Sequence, residues 1–396
     1  MEQKSSSRAQ KRLLLTIVVL FWFAQYVYVP YQTPYLTASG VSANLVGVIV
    51  GAYGLTQVLA RLPVGIFADT VGRHRLFILA GALLAGAASL IRIFSPGGPG
   101  FLAANLCSGL ASSMWISYMV HYTGFFEESR QQSATGIIVM ANSAGMLLGF
   151  IASTVFYDWL GMRTLCLLSA VSGLLGAVLA LFVRESRSRE GAARRPAVRE
   201  LLSVFQNRRL LLFALLAMVQ QGIQMSTTMS FTTQILKDLG ATTLFVGCSS
   251  VFYMVMAVLF SGFSSTAACA RLGPRLLLPL VFSLVAVYCV LVPLVHSAPV
   301  IFLLQLLPGM STGILFSYCN SEAVRGVPKF QKSTANGLFQ AIYALGLTIF
   351  PMLTGRIADT FSVTAAYFVL AGFALLAAGC TLFSSRVGHS STAKQG

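Results

Sequence analysis

Apolar runs of about 20 residues, divided by short polar breaks, repeat along the whole chain, and a bilayer-spanning helix needs about that length. Twelve are expected as helices: 13–36, 45–68, 76–94, 101–126, 134–157, 164–183, 210–236, 244–267, 276–295, 300–323, 334–357 and 364–384. In two of them the polar positions follow the helical period. At about 100° per residue, Phe21, Gln25, Tyr28, Gln32 and Tyr35 of span one fall within about 80° of one another. Gln220, Gln224, Thr227, Phe231 and Gln234 share a face of span seven, each 199 residues after its partner in span one. Pro30 and Pro34 lie on the other side of span one, where they loosen the helix.

Composition strengthens this pattern. Of 396 residues, 56% are hydrophobic and 10% charged, and the mean hydropathy of +0.78 is far above what a water-soluble core requires. The net charge of +16 could point to nucleic acid, but its placement points to a membrane. Alternate loops hold 22 of the 27 Lys and Arg, the loops between them hold three, and Arg61 and Arg92 lie near span ends. By the positive-inside rule both termini face the cytoplasm, so the chain is expected as a multi-pass protein of the cell membrane. The first span follows a basic stretch, as a signal peptide would, but it is long and lacks an A-x-A-like site, so it is read as retained. The seven Cys are scattered without a C-x-x-C pair, which suits buried structural thiols and gives no metal site.

The expected organisation is all-α, with a six-helix bundle at 1–183, a basic cytoplasmic linker at 184–209, a second six-helix bundle at 210–384 and a tail at 385–396. The linker carries eight Arg and three acids. Gly136 and Gly337, Asp158 and Asp359, and Gly72 and Gly273 are each 201 apart, and Gly47 and Gly247 are 200 apart. A six-span duplication is the signature of transporters built as two pseudo-symmetric bundles about a central cavity, with the substrate site between the repeats.

The stretch "GIFADTVGRHR", residues 65–75, sets an acid and several bases between two apolar runs. Gly65, Asp69, Gly72, Arg73 and Arg75 resemble the loop signature between spans two and three of the major facilitator superfamily, and the resemblance extends over essentially the whole chain. It implies that the knot is a cytoplasmic latch for the outward-open state, with Asp69 pairing to Arg73, Arg130 or a helix N-terminus; the plain alternative is that Arg73 and Arg75 only set topology. In the second half "ACARLGPR" keeps Gly273 and Arg275 but has Ala270 in place of the acid, so the latch is one-sided. The span-five glycine pattern of the family's antiporters is matched by Gly136, Gly145 and Gly149 and interrupted by Phe150, Ser153 and Thr154. Span eleven keeps Gly337, Gly346, Pro351 and Gly355, with Phe350 in a glycine slot. Small residues at this spacing also serve close helix packing.

The resemblance places spans one and seven at the cavity. Substrate-binding candidates are Gln25, Tyr28, Gln32, Gln220, Gln224, Thr227 and Gln234, joined by Tyr53 and Gln57 of span two, Asn105 and Trp115 of span four, Asn142, Gln305, Gln340 and Tyr343. Interhelical hydrogen bonding is the competing role for each. The arginine that proton-driven exporters of the family carry early in span four is replaced by Asn105 and, in the repeat, by Gln305. Only one of the eleven acids, Glu322, lies within a span. His121 is its repeat equivalent, so these two are the candidates for proton coupling. With no fixed charge expected at depth, the pocket suits a neutral, zwitterionic or amphipathic organic solute.

The function expected from the resemblance is a monomeric secondary transporter that exports a drug, metabolite or secreted chelator by alternating access, with a proton as coupling ion and no cofactor. Uptake or facilitated diffusion of a sugar or other nutrient is the alternative, and a non-transporting membrane sensor a remote one. Enzyme chemistry is not expected, since the four His lie in different regions and neither His-Glu-x-x-His nor Gly-x-Ser-x-Gly occurs.

Overall fold

The computed structural model of the chain describes residues 2–71, 74–126, 131–184, 203–264, 267–325, 327 and 332–392. Among them ten helical stretches are long and apolar enough to cross a membrane, and two local features reconcile this number with the twelve expected spans. Span four is interrupted at Met114, so its pieces, Gly98–Ser113 and Trp115–Thr123, are each too short by themselves. Spans five and six run on as Gln131–Ala180, turning at Gly161, whose φ of +69° is open to glycine and costly for other residues.

The interruptions recur with the repeat. Span one is broken at Val27 and Tyr28 into Glu2–Tyr26 and Val29–Ala38, and Pro30 opens the second piece, where its missing N–H costs nothing. Span seven runs as Arg208–Ser226, a π turn at Thr227–Phe231, and Thr232–Asp238. Span ten breaks at Gln305 into Ala298–Leu304 and Leu306–Ala323. Spans two, three, eight, nine, eleven and twelve, at Ala43–Val71, His74–Phe94, Thr243–Ser264, Ala267–Leu294, Lys332–Thr360 and Val363–Thr392, are each a single helix. Breaks therefore fall on spans one, four, seven and ten, which carry most of the polar candidates.

The chain divides into two compact units. Unit 1 holds 1–41 and 52–202, and unit 2 holds 42–51 and 203–396. The first ten residues of the 42–71 stretch thus group with the second unit, because Gly47 lets span two approach span eleven: a Cβ there would stand 2.9 Å from the Gly355 Cα. Within each unit the same helices meet. Gly145 of span five lies against span one, its added Cβ 2.5 Å from the Val19 carbonyl, and Gly346 of span eleven lies against span seven, its added Cβ closer still to the Met218 carbonyl. Gly109 of span four abuts the Tyr53 carbonyl of span two, and Gly309 of span ten abuts the Tyr253 carbonyl of span eight. Each of these pairs is related by 199 to 201 residues, so the duplication survives in packing as well as in sequence.

Apolar side chains fill both the inside and the outside. Leu14, Ile17, Phe21, Ile78, Tyr118 and Ile138 form part of the unit 1 core, while Leu59, Met140, Val155, Leu259 and Leu376 remain exposed, as a lipid-facing surface requires. At the start of span seven, Asn207 accepts from the N–H groups of Arg209 and Leu210, both at 3.1 Å, capping the helix. Linker residues 185–202 lie outside the described set.

Candidate functional site

In unit 1, the break in span one sets Gln25 and Tyr28 beside span four. The Gln25 Nε2 donates to the Ser108 carbonyl (3.0 Å) and to Ser112 Oγ (3.2 Å), and Tyr53 OH lies 2.8 Å from the same Ser112 Oγ. The ladder continues down span two: Gln57 Nε2 donates to the Tyr53 carbonyl at 3.3 Å, and Arg61 donates to Gln57 Oε1. All four of Gln25, Gln57, Arg61 and Ser112 are at most 4% exposed. Such a chain of partners is how amides and hydroxyls survive where water is excluded.

Above this cluster sits a residue that the sequence assigned to a span border. Arg92 is 2% exposed, and its guanidinium reaches between spans one and four. Its Nη2 donates to Asn105 Oδ1 (2.7 Å), Tyr28 OH (2.8 Å) and Ser108 Oγ (3.0 Å), and Nη1 to Ser89 Oγ (3.3 Å). The cation also lies 3.8 Å from the centre of the Tyr28 ring. The expectation of no fixed charge at depth is therefore corrected: a long side chain two residues from the helix end has folded inward instead of snorkelling to the interface.

Unit 2 repeats the lower cluster. Gln224 Nε2 donates to Tyr253 OH, which lies 3.1 Å from Thr312 Oγ1, and Gln220 Nε2 donates to that oxygen at 3.4 Å. Gln25, Tyr53 and Ser112 thus reappear as Gln224, Tyr253 and Thr312, at offsets of 199 to 200. The upper cluster is repeated with a different centre. Tyr288 of span nine lies 2.8 Å from Thr232 Oγ1 and 3.3 Å from Thr228 Oγ1, and donates to Gln305 Oε1 at 3.4 Å. Asn105 and Gln305 correspond, whereas Arg92 corresponds to Val292, and the centre is taken instead by the phenol of Tyr288, one turn earlier on span nine. Tyr253, Tyr288 and Thr312 were missed from the sequence; adding 200 to Tyr53 and Ser112 finds two of them.

Other candidates are placed differently. Gln32 and Asn142 each hold a buried side-chain oxygen without a hydrogen-bond partner. Thr227 donates to the Ile223 carbonyl at 2.7 Å at the head of the π turn. That turn inserts an extra residue and rotates the C-terminal piece of span seven by about 100°, so Gln234 leaves the expected face and donates to Asp238 at 2.7 Å. Trp115 is a core residue edge-on to Trp22, with ring centres 5.4 Å apart. Tyr343 packs among Phe316 and Phe339, and Gln340 lies one turn before it, partly buried.

At the end carrying the basic loops, Glu322 pairs with Arg209 and with Arg325, the latter at 3.1 Å. His121 is 2% exposed with its Nε2 lacking a partner, and its ring centre is 6.4 Å from that of His74. Arg75 ties span three to the end of span six through the Leu181 carbonyl, 2.5 Å away. Gly65 and Asp69 lie in the helical end of span two, but with Gly72, Arg73 and Arg130 they fall outside the residues whose side chains are described.

Comparison with known proteins agrees with this architecture. The model of the Major Facilitator Superfamily matches residues 14–265 and 215–395. The inner membrane transport protein YajR of Escherichia coli (strain K12) is 24% identical over 169 residues, 42% of this chain and 37% of that protein, so the match spans little more than a third of its length. The crystal structure of the nucleoside transporter NupG superposes with a TM-score of 0.75 at 14% identity, covering 94% of this chain and 98% of that one. A bacterial homologue of the human lysosomal transporter Spinster, inward-facing and unoccupied, gives 0.75 at 14% identity over 96% and 97% of the two chains. At these identities the structures speak for the fold.

Proposed function

We propose, since the chain belongs to the Major Facilitator Superfamily, that it is a secondary transporter that exports a small neutral, zwitterionic or amphipathic organic solute by alternating access. One observation carries this reading: the Gln, Tyr and hydroxyl cluster is present twice, on broken helices, at equivalent positions of both units. An interhelical bond in a membrane contributes only ~0.6 kcal/mol on average, so stability alone gives little reason to bury such clusters in both halves. Several buried oxygens of the candidates are also unmatched, two of them in the unit 2 cluster (Gln220 and Gln224) and two outside the clusters (Gln32 and Asn142). The Oε1 atoms of Gln32, Gln220 and Gln224 and the Oδ1 of Asn142 are buried without a partner, at roughly 1–3 kcal/mol each. A solute carrying N–H or O–H groups supplies the missing donors and recovers that free energy on binding.

Uptake is the second reading, and a packing observation favours it. Gly145 and Gly346 are taken up by helix contacts, which leaves the glycine pattern as weaker support for antiport. NupG, of the same fold, is a nucleoside transporter, and a nucleoside is a neutral polar solute that these amides would accept. Untargeted mass spectrometry of cells lacking the protein and cells overproducing it decides the direction. A compound retained by the deletion strain and enriched in the overproducer's medium is the expected result; a compound left outside by the deletion strain and drawn in by the overproducer would reverse it.

Proton coupling is assigned to His121 and Glu322, which occupy repeat-equivalent positions 201 residues apart. Because Glu322 lies between two arginines, taking up a proton releases both ion pairs and links protonation to movement of the linker end of span seven. Gradient-driven transport is expected to fall to the passive level in the His121→Ala, Glu322→Gln double variant, and unchanged accumulation would remove these residues from the coupling path. We place the monomer in the cell membrane with both termini cytoplasmic, on the distribution of basic residues.

A further inference from the structure

We propose that Arg92 anchors a carboxylate of the transported solute, which makes the cargo an amino-acid-like zwitterion or an amphipathic carboxylate. This narrows the transport reading above and rests on it. The first reason is charge. Arg92 is 2% exposed and surrounded by neutral groups, and the salt bridges among the described residues both belong to Glu322. A guanidinium buried in a membrane helix without a counter-ion is costly to desolvate, and the observed acceptors solvate it without neutralising it.

The second reason is the hydrogen-bond inventory. Nη2 has two hydrogens and three acceptors within 3.0 Å, whereas the buried Nε–H donates to nothing. A guanidinium is shaped to hold a carboxylate through two parallel N–H bonds. One carboxylate would engage the idle Nε–H together with one Nη2 hydrogen, displacing one of the three acceptors now crowded on Nη2, and would balance the charge.

The third reason is position. Tyr28, whose hydroxyl and ring both hold the guanidinium, is at the break of span one, and Ser108 joins Arg92 directly to the Gln25 and Tyr53 cluster. In unit 2 the position equivalent to Arg92 is Val292, and the group that faces Gln305 is neutral Tyr288, so the demand for an anion is confined to one half.

The test uses the purified full-length chain in detergent micelles, with thermal unfolding followed in the presence of matched pairs: benzoate against benzamide, butyrate against butyramide, and leucine against leucinol. A charge-assisted bond implies an apparent affinity about ten- to a hundredfold higher for each carboxylate than for the partner that lacks it. That preference should disappear in Arg92→Gln and be partly kept in Arg92→Lys, which retains charge but loses the fork. Equal shifts within each pair, no shift with any carboxylate, or a preference that survives in Arg92→Gln would overturn the proposal. The wild-type comparison decides even where a variant fails to fold. Failure of the transport reading is separately visible: the metabolite comparison then yields no moved compound, whatever the carboxylates do.

Discussion

The two units build the same polar scaffold around different centres. Below, Gln25, Tyr53 and Ser112 correspond to Gln224, Tyr253 and Thr312 with little change in chemistry. Above, a guanidinium in unit 1 faces Asn105 and Tyr28, whereas a phenol in unit 2 faces Gln305, Thr228 and Thr232. Duplication preserved the frame, including the glycine crossings and which spans are broken, although the breaks of spans four and ten lie out of register. The halves differ in the group at the centre, a guanidinium in one and a phenol one turn out of register in the other. The shared parts therefore account for architecture and general polarity, and Arg92 for what one half can recognise and the other cannot.

The comparison breaks most sharply at its centres. Arg92→Met removes a desolvated charge while nearly conserving volume, but takes a donor from Asn105, Tyr28, Ser108 and Ser89, so we expect the two effects to offset and stability to stay within ~1–3 kcal/mol of wild type, together with a loss of cargo transport of at least about tenfold. Tyr288→Phe should lower stability by only ~1 kcal/mol, the net value of an ordinary buried hydrogen bond, and leave transport within a few-fold. Chemical unfolding beside a flux assay checks both; a strong loss of stability in Arg92→Met would make the arginine a structural residue.

A smaller effect is expected at the paired crossings. Gly109→Val and Gly309→Val each force a side chain into a carbonyl of the neighbouring helix, costing roughly 1–3 kcal/mol. Similar falls in melting temperature would show that the crossings are equivalent. A fall in only one would show that the repeat is not shared at the level of packing.

The amides should change stability little and binding more. Gln25→Leu and Gln224→Leu should each cost under ~1.7 kcal/mol, the upper end for polar contacts between membrane helices, while weakening solute binding by about tenfold. Equal effects on binding would show that the cluster of each unit contributes to recognition. An effect from one side only would assign recognition to that half.

Much of this was legible in the sequence because it rests on repetition. Apolar length gave the spans, and the 199-residue offset between the polar faces gave Gln25, Gln220 and Gln224. The features that escaped depend on three-dimensional context. The π turn at Thr227–Phe231 shifts the period within a span, which is why Gln234 was placed on the wrong face. Met114 interrupts span four with no proline to announce it. Trp115 and Tyr343 share helical faces with polar residues but pack into aromatic clusters, as such residues do wherever apolar neighbours are nearer than water. Arg92 was the costliest miss: its position two residues from Phe94 fits a border arginine equally well, and the direction of a long side chain is settled by tertiary packing.

The claim that two matched clusters handle the solute is tested most directly by flux of the identified cargo in cells producing the Gln25→Leu, Gln224→Leu double variant at wild-type abundance. The account predicts a loss greater than either single change gives, approaching the level of cells without the protein. Transport at the wild-type rate would show that the duplicated clusters are helix-packing elements and that the solute passes elsewhere.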